Sequence, residues 1–145
     1  MAPTVVVDTN ALMMPVELDV RLFDELDRLL NGAPRAPEQA SGDEPRADGY
    51  EPTTPQSVVE ELRKLSEKGG EEGIAASVGH DLATERCLIV DTEASYADDA
   101  VVELAREGIA DYVVTNDQPL QERTLDAGVA VIGLRGKNKL AVTQP

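Results

Sequence analysis

Tryptophan is absent from these 145 residues, and the aromatic total is one phenylalanine and three tyrosines. So thin a supply argues against a base-stacking platform as the main means of holding a nucleic acid. One cysteine, Cys87 in Arg86-Cys87-Leu88-Ile89-Val90, excludes an internal disulfide and any cysteine-cluster zinc site. It reads as a small buried strand residue. The single histidine, His80 in Val78-Gly79-His80-Asp81, reads as a surface or structural residue, and no Ser or Cys nucleophile has an evident histidine partner. No apolar run reaches the roughly eighteen residues of a membrane span. The N-terminus also lacks the basic region and long apolar stretch of a signal peptide, so a cytoplasmic protein without membrane association is expected.

Basic residues are also scarce. There are 13 Lys and Arg against 28 Asp and Glu, a formal net charge of -15, and a surface of that sign repels phosphate backbones. The few lysines, the acids on every predicted solvent face and the low aromatic content together indicate a halophile, with high salt inside the cell. At molar salt the Debye length shrinks to about 3 Å, so global repulsion largely vanishes and short-range contacts decide binding. The acidity therefore neither supports nor excludes a nucleic-acid substrate.

What is present in quantity is alternation of strand and helix. Thr4-Val5-Val6-Val7 is a β-branched run suited to a parallel strand buried on both faces. Leu18, Leu22, Leu26, Leu29 and Leu30 recur at helical spacing and should form one helix stopping at Asn31-Gly32. A mobile acidic insertion is expected over 33–49, then a short strand over 50–54 that Pro52 would confine to an irregular or edge position. Pro55 opens a helix through Val58, Val59, Leu62 and Leu65, and another helix should cover 71–83. Strands at 88–90, 111–115 and 129–134 alternate with helices at 96–107 and 117–127. The length suits one domain, residues 1–145. The pattern predicts an α/β three-layer sandwich: a mainly parallel central sheet of four to five strands with helices on both faces. Ligands of such sheets collect at the carboxyl ends of the strands.

Four acidic words lie in order along this frame: Val6-Val7-Asp8-Thr9-Asn10, Val58-Val59-Glu60-Glu61-Leu62, Tyr96-Ala97-Asp98-Asp99-Ala100 and Val113-Val114-Thr115-Asn116-Asp117. Each has an ordinary explanation. Asp8 and Asp117 leave strands where an Asx turn or a helix cap is common, Glu61 flanks an apolar stripe, and Asp98-Asp99 complements a helix dipole. Brought to one strand edge, however, such carboxylates repel one another until a hard cation joins them. Oxygen-only ligands with open water positions suit Mg²⁺ or Mn²⁺.

With these words the sequence resembles the PIN-domain nucleases from Val5 to Leu134. The words Asp8-Thr9-Asn10 and Tyr96-Ala97-Asp98-Asp99 are similar to the branch containing the PIN proteins of small-subunit ribosomal RNA maturation and their archaeal relatives. The resemblance implies a PIN-like fold and a metal-dependent ribonuclease whose acidic site is Asp8, Glu61, Asp99 and Asp117, with Asp8 and Asp99 holding the ion directly or through water. Thr9, Asn10, Asp98, Thr115 and Asn116 would stand behind them; which of Asp98 and Asp99 faces the metal stays open, with the Ala100-Val101-Val102 run favouring Asp99. Residues 127–145 contain no acid but carry Arg135, Lys137 and Lys139, the candidate RNA-contacting surface.

The same resemblance admits a toxin ribonuclease with an antitoxin partner. A non-catalytic RNA-binding or ribosome-assembly factor is the reading from a different class. PIN-like domains commonly pair, which makes a homodimer one candidate assembly and leaves the oligomeric state open. A phosphatase or phosphoacceptor domain with Asp8 as nucleophile is disfavoured by Asn10, where a phosphatase motif wants a second Asp.

Overall fold

Three consecutive β-branched residues, Val5, Val6 and Val7, have no solvent exposure on either face. They form the centre of strand β1 (Thr4–Val7), and burial of each contributes on the order of 1.5–3 kcal/mol. The computed structural model of the chain describes residues 2–31 and 49–145. After β1 come α1 (Thr9–Glu17), α2 (Leu22–Leu30), β2 (Glu51–Pro55), α3 (Gln56–Ser66), α4 (Gly70–Arg86) and β3 (Leu88–Val90). They are followed by α5 (Ala97–Arg106), β4 (Tyr112–Val114), α6 (Gln118–Asp126), β5 (Ala130–Arg135) and β6 (Lys139–Thr143).

The strands make one sheet in the order β3-β2-β1-β4-β5-β6. The first five are mutually parallel and β6 returns antiparallel to β5. The chain moves outward from β1 to β2 and β3, then crosses back to β4 on the other side of β1. Right-handed crossovers running in opposite directions put α1–α4 and α5–α6 on opposite faces. They also put the reversal of strand order between β1 and β4, the place where open α/β sheets bind ligands.

Several expectations are met and several corrected. Five parallel strands stand as anticipated, and the sixth was not foreseen. Pro52 does not mark an edge, because β2 lies between β1 and β3. The Glu51 N–H donates towards β1, to the Pro3 carbonyl, so the nitrogen of Pro52 faces the other side. There pairing with β3 begins only at Thr53, and the missing donor costs nothing. Pro55 also lacks an N–H, and the Thr54 hydroxyl donates to the Val7 carbonyl instead, at 2.9 Å.

The helix expected from Leu18 to Leu30 is two helices. Leu18 caps α1, 40% exposed, and Asp19 takes a positive φ of 53° that breaks the chain before α2. Cys87 is half-buried and caps α4, one residue before the strand expected to contain it; desolvation pushes its thiol up to about 12. The insertion expected over 33–49 lies outside the described residues except for Gly49, whose N–H donates to Asn31. Among the described residues no helix is long and apolar enough to cross a membrane.

Gly79 sets how closely α1 and α4 approach. A Cβ there would lie 2.9 Å from the Leu12 carbonyl oxygen, and this tight seat fixes α1, the helix that begins at Asp8.

Candidate active site

Asp8 ends β1 and caps α1 in the same step. Its Oδ1 accepts from the Ala11 N–H at 2.9 Å and its Oδ2 from the Thr115 hydroxyl at 2.5 Å. The residue is only 5% exposed. Burial raises its carboxyl to about 7; the hydrogen bonds from Thr115 and Ala11 pull the other way, and the nearby charges of Asp117 and Glu61 add to the rise. The cap and the acidic site are therefore two roles of one side chain.

Thr115, fully buried at the end of β4, ties the first acidic word to the last. Its hydroxyl donates to Asp8 and accepts the Asp117 N–H at 3.1 Å. Asn10 reaches across the same junction: its Oδ1 accepts the Asn116 N–H at 3.0 Å, and its Nδ2 lies 3.5 Å from Thr115 Oγ1. Asn116 thus contributes its main chain to this junction. Thr9 also lines this junction, its Oγ1 buried without a hydrogen-bond partner among the described residues.

A cleft of about 470 Å³ opens at this edge, lined by Asp8, Thr9, Asn10, Glu61, Asp98 and Asp117 among others. Asp117 caps α6 through Oδ1, which accepts the Leu120 N–H at 3.2 Å. Glu61 makes no hydrogen bond among the described residues, whereas neighbouring Glu60 turns away to Gln56 and Arg63. On α5 the two acids separate. Asp98 lines the cleft, while Asp99, the one favoured by sequence pattern, binds Arg123 Nη2 through Oδ1 at 2.9 Å. Arg123 Nη1 also lies 3.8 Å from Asp98, so one guanidinium spans the pair.

Sequence reasoning did not single out Arg123, nor Glu17 and Glu72, which add two carboxylates to the cleft wall. Glu17 ends α1 and Glu72 begins α4. Nothing short of the helix ends, which the sequence blurred, would have pointed to them. His80 lies on α4 outside this lining.

The acid-free C-terminal stretch forms the β5–β6 hairpin. Arg135 and Lys137 are exposed, and Lys139 pairs across from Arg135. Val7, Val114 and Ile132 share one level of the sheet, so Arg135 stands two strands across and two residues beyond Asp8, roughly 12 Å away along the sheet. The hairpin cations therefore rise on the same side as the acids. Lys139 is partly committed elsewhere, 3.8 Å from Glu25.

The donors are all oxygens, the set preferred by Mg²⁺ or Mn²⁺, and the buried Thr9 hydroxyl adds another without a partner. Among the described residues no three His, Cys, Asp or Glu side chains converge closely enough to ligate one ion. The donor chemistry is that of a hard divalent ion, without a preformed cluster of ligands among the described residues.

Comparison with known proteins is consistent with this frame. A family model described as a PIN like domain matches residues 5–40 and 44–137. Among solved structures, that of the PIN domain endonuclease Utp24 matches with a TM-score of 0.70 at 23% identity, covering 98% of this chain and 92% of that one. At that identity the likeness concerns the fold alone. No curated protein matches the chain.

Proposed function

Because the chain belongs to the PIN-like domain family, we propose that it is a metal-dependent ribonuclease that hydrolyses RNA phosphodiesters at the cleft between β1 and β4. The observation that carries this reading is Asp8: a carboxylate buried at the switch point, fixed by Thr115 and Ala11, and facing Glu61 and Asp117 across the same cleft. Burial without a compensating cation is costly. A site of this kind is organised for charge that arrives with a ligand.

In this reading Asp8 and one acid of the α5 pair would hold Mg²⁺ or Mn²⁺, directly or through water, with Asp117 and Glu61 completing or orienting its shell. The ion, when bound, supplies Lewis-acid activation of a water and neutralises charge on the phosphate. Asp8 is held in one orientation by its two hydrogen bonds. Asp117 has one oxygen committed to its helix cap, which leaves the other to act in the cleft. Glu61, without a hydrogen bond among the described residues, would be the acceptor able to orient a water for in-line attack. Thr115 and Asn10 keep Asp8 and Asp117 at a fixed separation, as supporting groups around metal sites do. Arg135 and Lys137 would meet the RNA backbone on the same rim. One sheet and one core cluster take residues from β1 to β6, which supports treating residues 1–145 as one unit. A role in ribosomal RNA processing rests on the words Asp8-Thr9-Asn10 and Tyr96-Ala97-Asp98-Asp99.

The test is RNA cleavage in multimolar KCl with Mn²⁺, Mg²⁺ or EDTA. Wild type should cleave with either metal and stop in EDTA, and Asp8→Asn should lose at least about 100-fold. Of the α5 pair, family pattern supports Asp99 as ligand and the cleft wall supports Asp98, and the larger loss between Asp98→Asn and Asp99→Asn identifies it. Cleavage that survives EDTA, or equal cleavage by Asp8→Asn, would sink the proposal.

A further inference from the structure

Of the four aromatic side chains in this chain, Phe23 and Tyr50 are buried and Tyr112 packs against the core. Tyr96 alone stands out in solvent, 74% exposed. Its place is the lip of the acidic cleft, since Ala97 and Asp98, the next two residues, line that cleft. The main chain beneath the ring is fixed. The Tyr96 carbonyl accepts the Ala100 N–H at 2.9 Å, and the Glu103 carboxylate accepts from the N–H groups of Glu93 and Ala94 at 3.0–3.1 Å. The side chain itself makes no hydrogen bond among the described residues. A bare ring on a rigid loop is a preorganised surface.

Resting on the ribonuclease reading, we propose that Tyr96 stacks on an unpaired nucleobase beside the phosphate held in the cleft. The neighbours of the ring decide between a base and a protein partner. Glu93, Ser95, Asp98 and Asp99 surround it in sequence, whereas a protein hot spot sits in an apolar, charge-depleted patch. A base needs only a π-face. The scarcity of aromatics that weighed against a stacking platform as the main mode leaves room for one ring at the decisive position. Stacking also suits a chain of net charge -15, because phosphate contacts weaken steeply with salt and a stacked pair does not depend on them.

The chain has no tryptophan, so Tyr96→Trp installs a single fluorophore at the lip. Combined with Asp8→Asn to prevent turnover, it is titrated in molar KCl with a single-stranded oligoribonucleotide, an abasic oligomer of equal length and a paired duplex. Saturable quenching by the first, and not by the other two, is expected. In the same background Tyr96→Ala should weaken binding of labelled single-stranded RNA by roughly 5- to 100-fold, and Tyr96→Phe by no more than about twofold. The Tyr-to-Ala ratio should hold as KCl is raised, while the effect of removing Arg135 and Lys137 shrinks.

Unquenched emission with unchanged affinity in Tyr96→Ala overturns the stacking role, and the ribonuclease reading survives if wild type still cleaves. A change in self-association on sedimentation, with RNA binding untouched, assigns Tyr96 to a protein interface and overturns it too. If wild type neither binds nor cleaves RNA, both readings fall.

Discussion

Asp8 titrates in a direction opposite to most acids of a folded protein. Its carboxyl is raised from 3.8 to about 7, chiefly by burial. The unfolded chain releases this proton near pH 4 and the folded chain near 7. Without a cation, the Asp8 contribution to stability is therefore most favourable below pH 4 and falls as pH rises towards 7, after which its penalty is constant. Asp8→Asn should remove that slope. Above pH 7 the metal-free variant should be more stable than metal-free wild type by roughly 2–4 kcal/mol, as read by urea unfolding in EDTA. A variant less stable than wild type at pH 8 would show that the carboxylate is not strained. At this scale the four words contain Asp8, Glu61, Asp98 and Asp117 of the cleft wall, while Glu17 and Glu72 lie outside them. Which of Asp98 and Asp99 lines the cleft is not legible in the sequence, because adjacent helical residues point about 100° apart and Arg123, which contacts both, comes from α6.

Elements are joined at two places that carry the site. Thr115 locks β4 to the end of β1, and Glu25 locks α2 to the β5–β6 hairpin. The Glu25 carboxylate accepts from Arg28 at 2.9 Å and from the Leu140 N–H at 2.9 Å. The hydrogen bond from Arg28 is the main cause that holds it down to about 2. Its contribution to stability is present above the unfolded value of 4.5 and is lost as pH falls through 2. Glu25→Gln should cost about 1–3 kcal/mol near neutrality, with the gap to wild type closing as pH falls from 4.5 towards 2. A gap independent of pH would mean that packing, and not charge, fixes the hairpin. Most elements were legible because apolar periodicity and Gly or Pro punctuation coincide, as in β1, α3, α5 and α6. Failures came where they diverge. The Leu18–Leu30 spacing ran through a left-handed turn at Asp19, and β6 opens on an exposed lysine in a short segment without strong alternation. Pro52 misled because a proline's tolerance depends on where the neighbouring strand begins, which is a property of the sheet.

On the scale of the molecule, a surface with net charge -15 surrounds one strand edge at which the cleft carboxylates and the hairpin cations both lie. The wider acidity and the site's acidity are different in kind. Exposed acids bind cations weakly and are screened by salt, whereas a cleft acid buried at a strand end keeps its interaction in molar KCl. That contrast gives the sharpest test: titration of Mn²⁺ into the metal-free full chain in molar KCl, followed by electron paramagnetic resonance, for wild type and Asp8→Asn. The account predicts a saturable Mn²⁺ site in wild type that Asp8→Asn abolishes. Equal binding by the two proteins would contradict it.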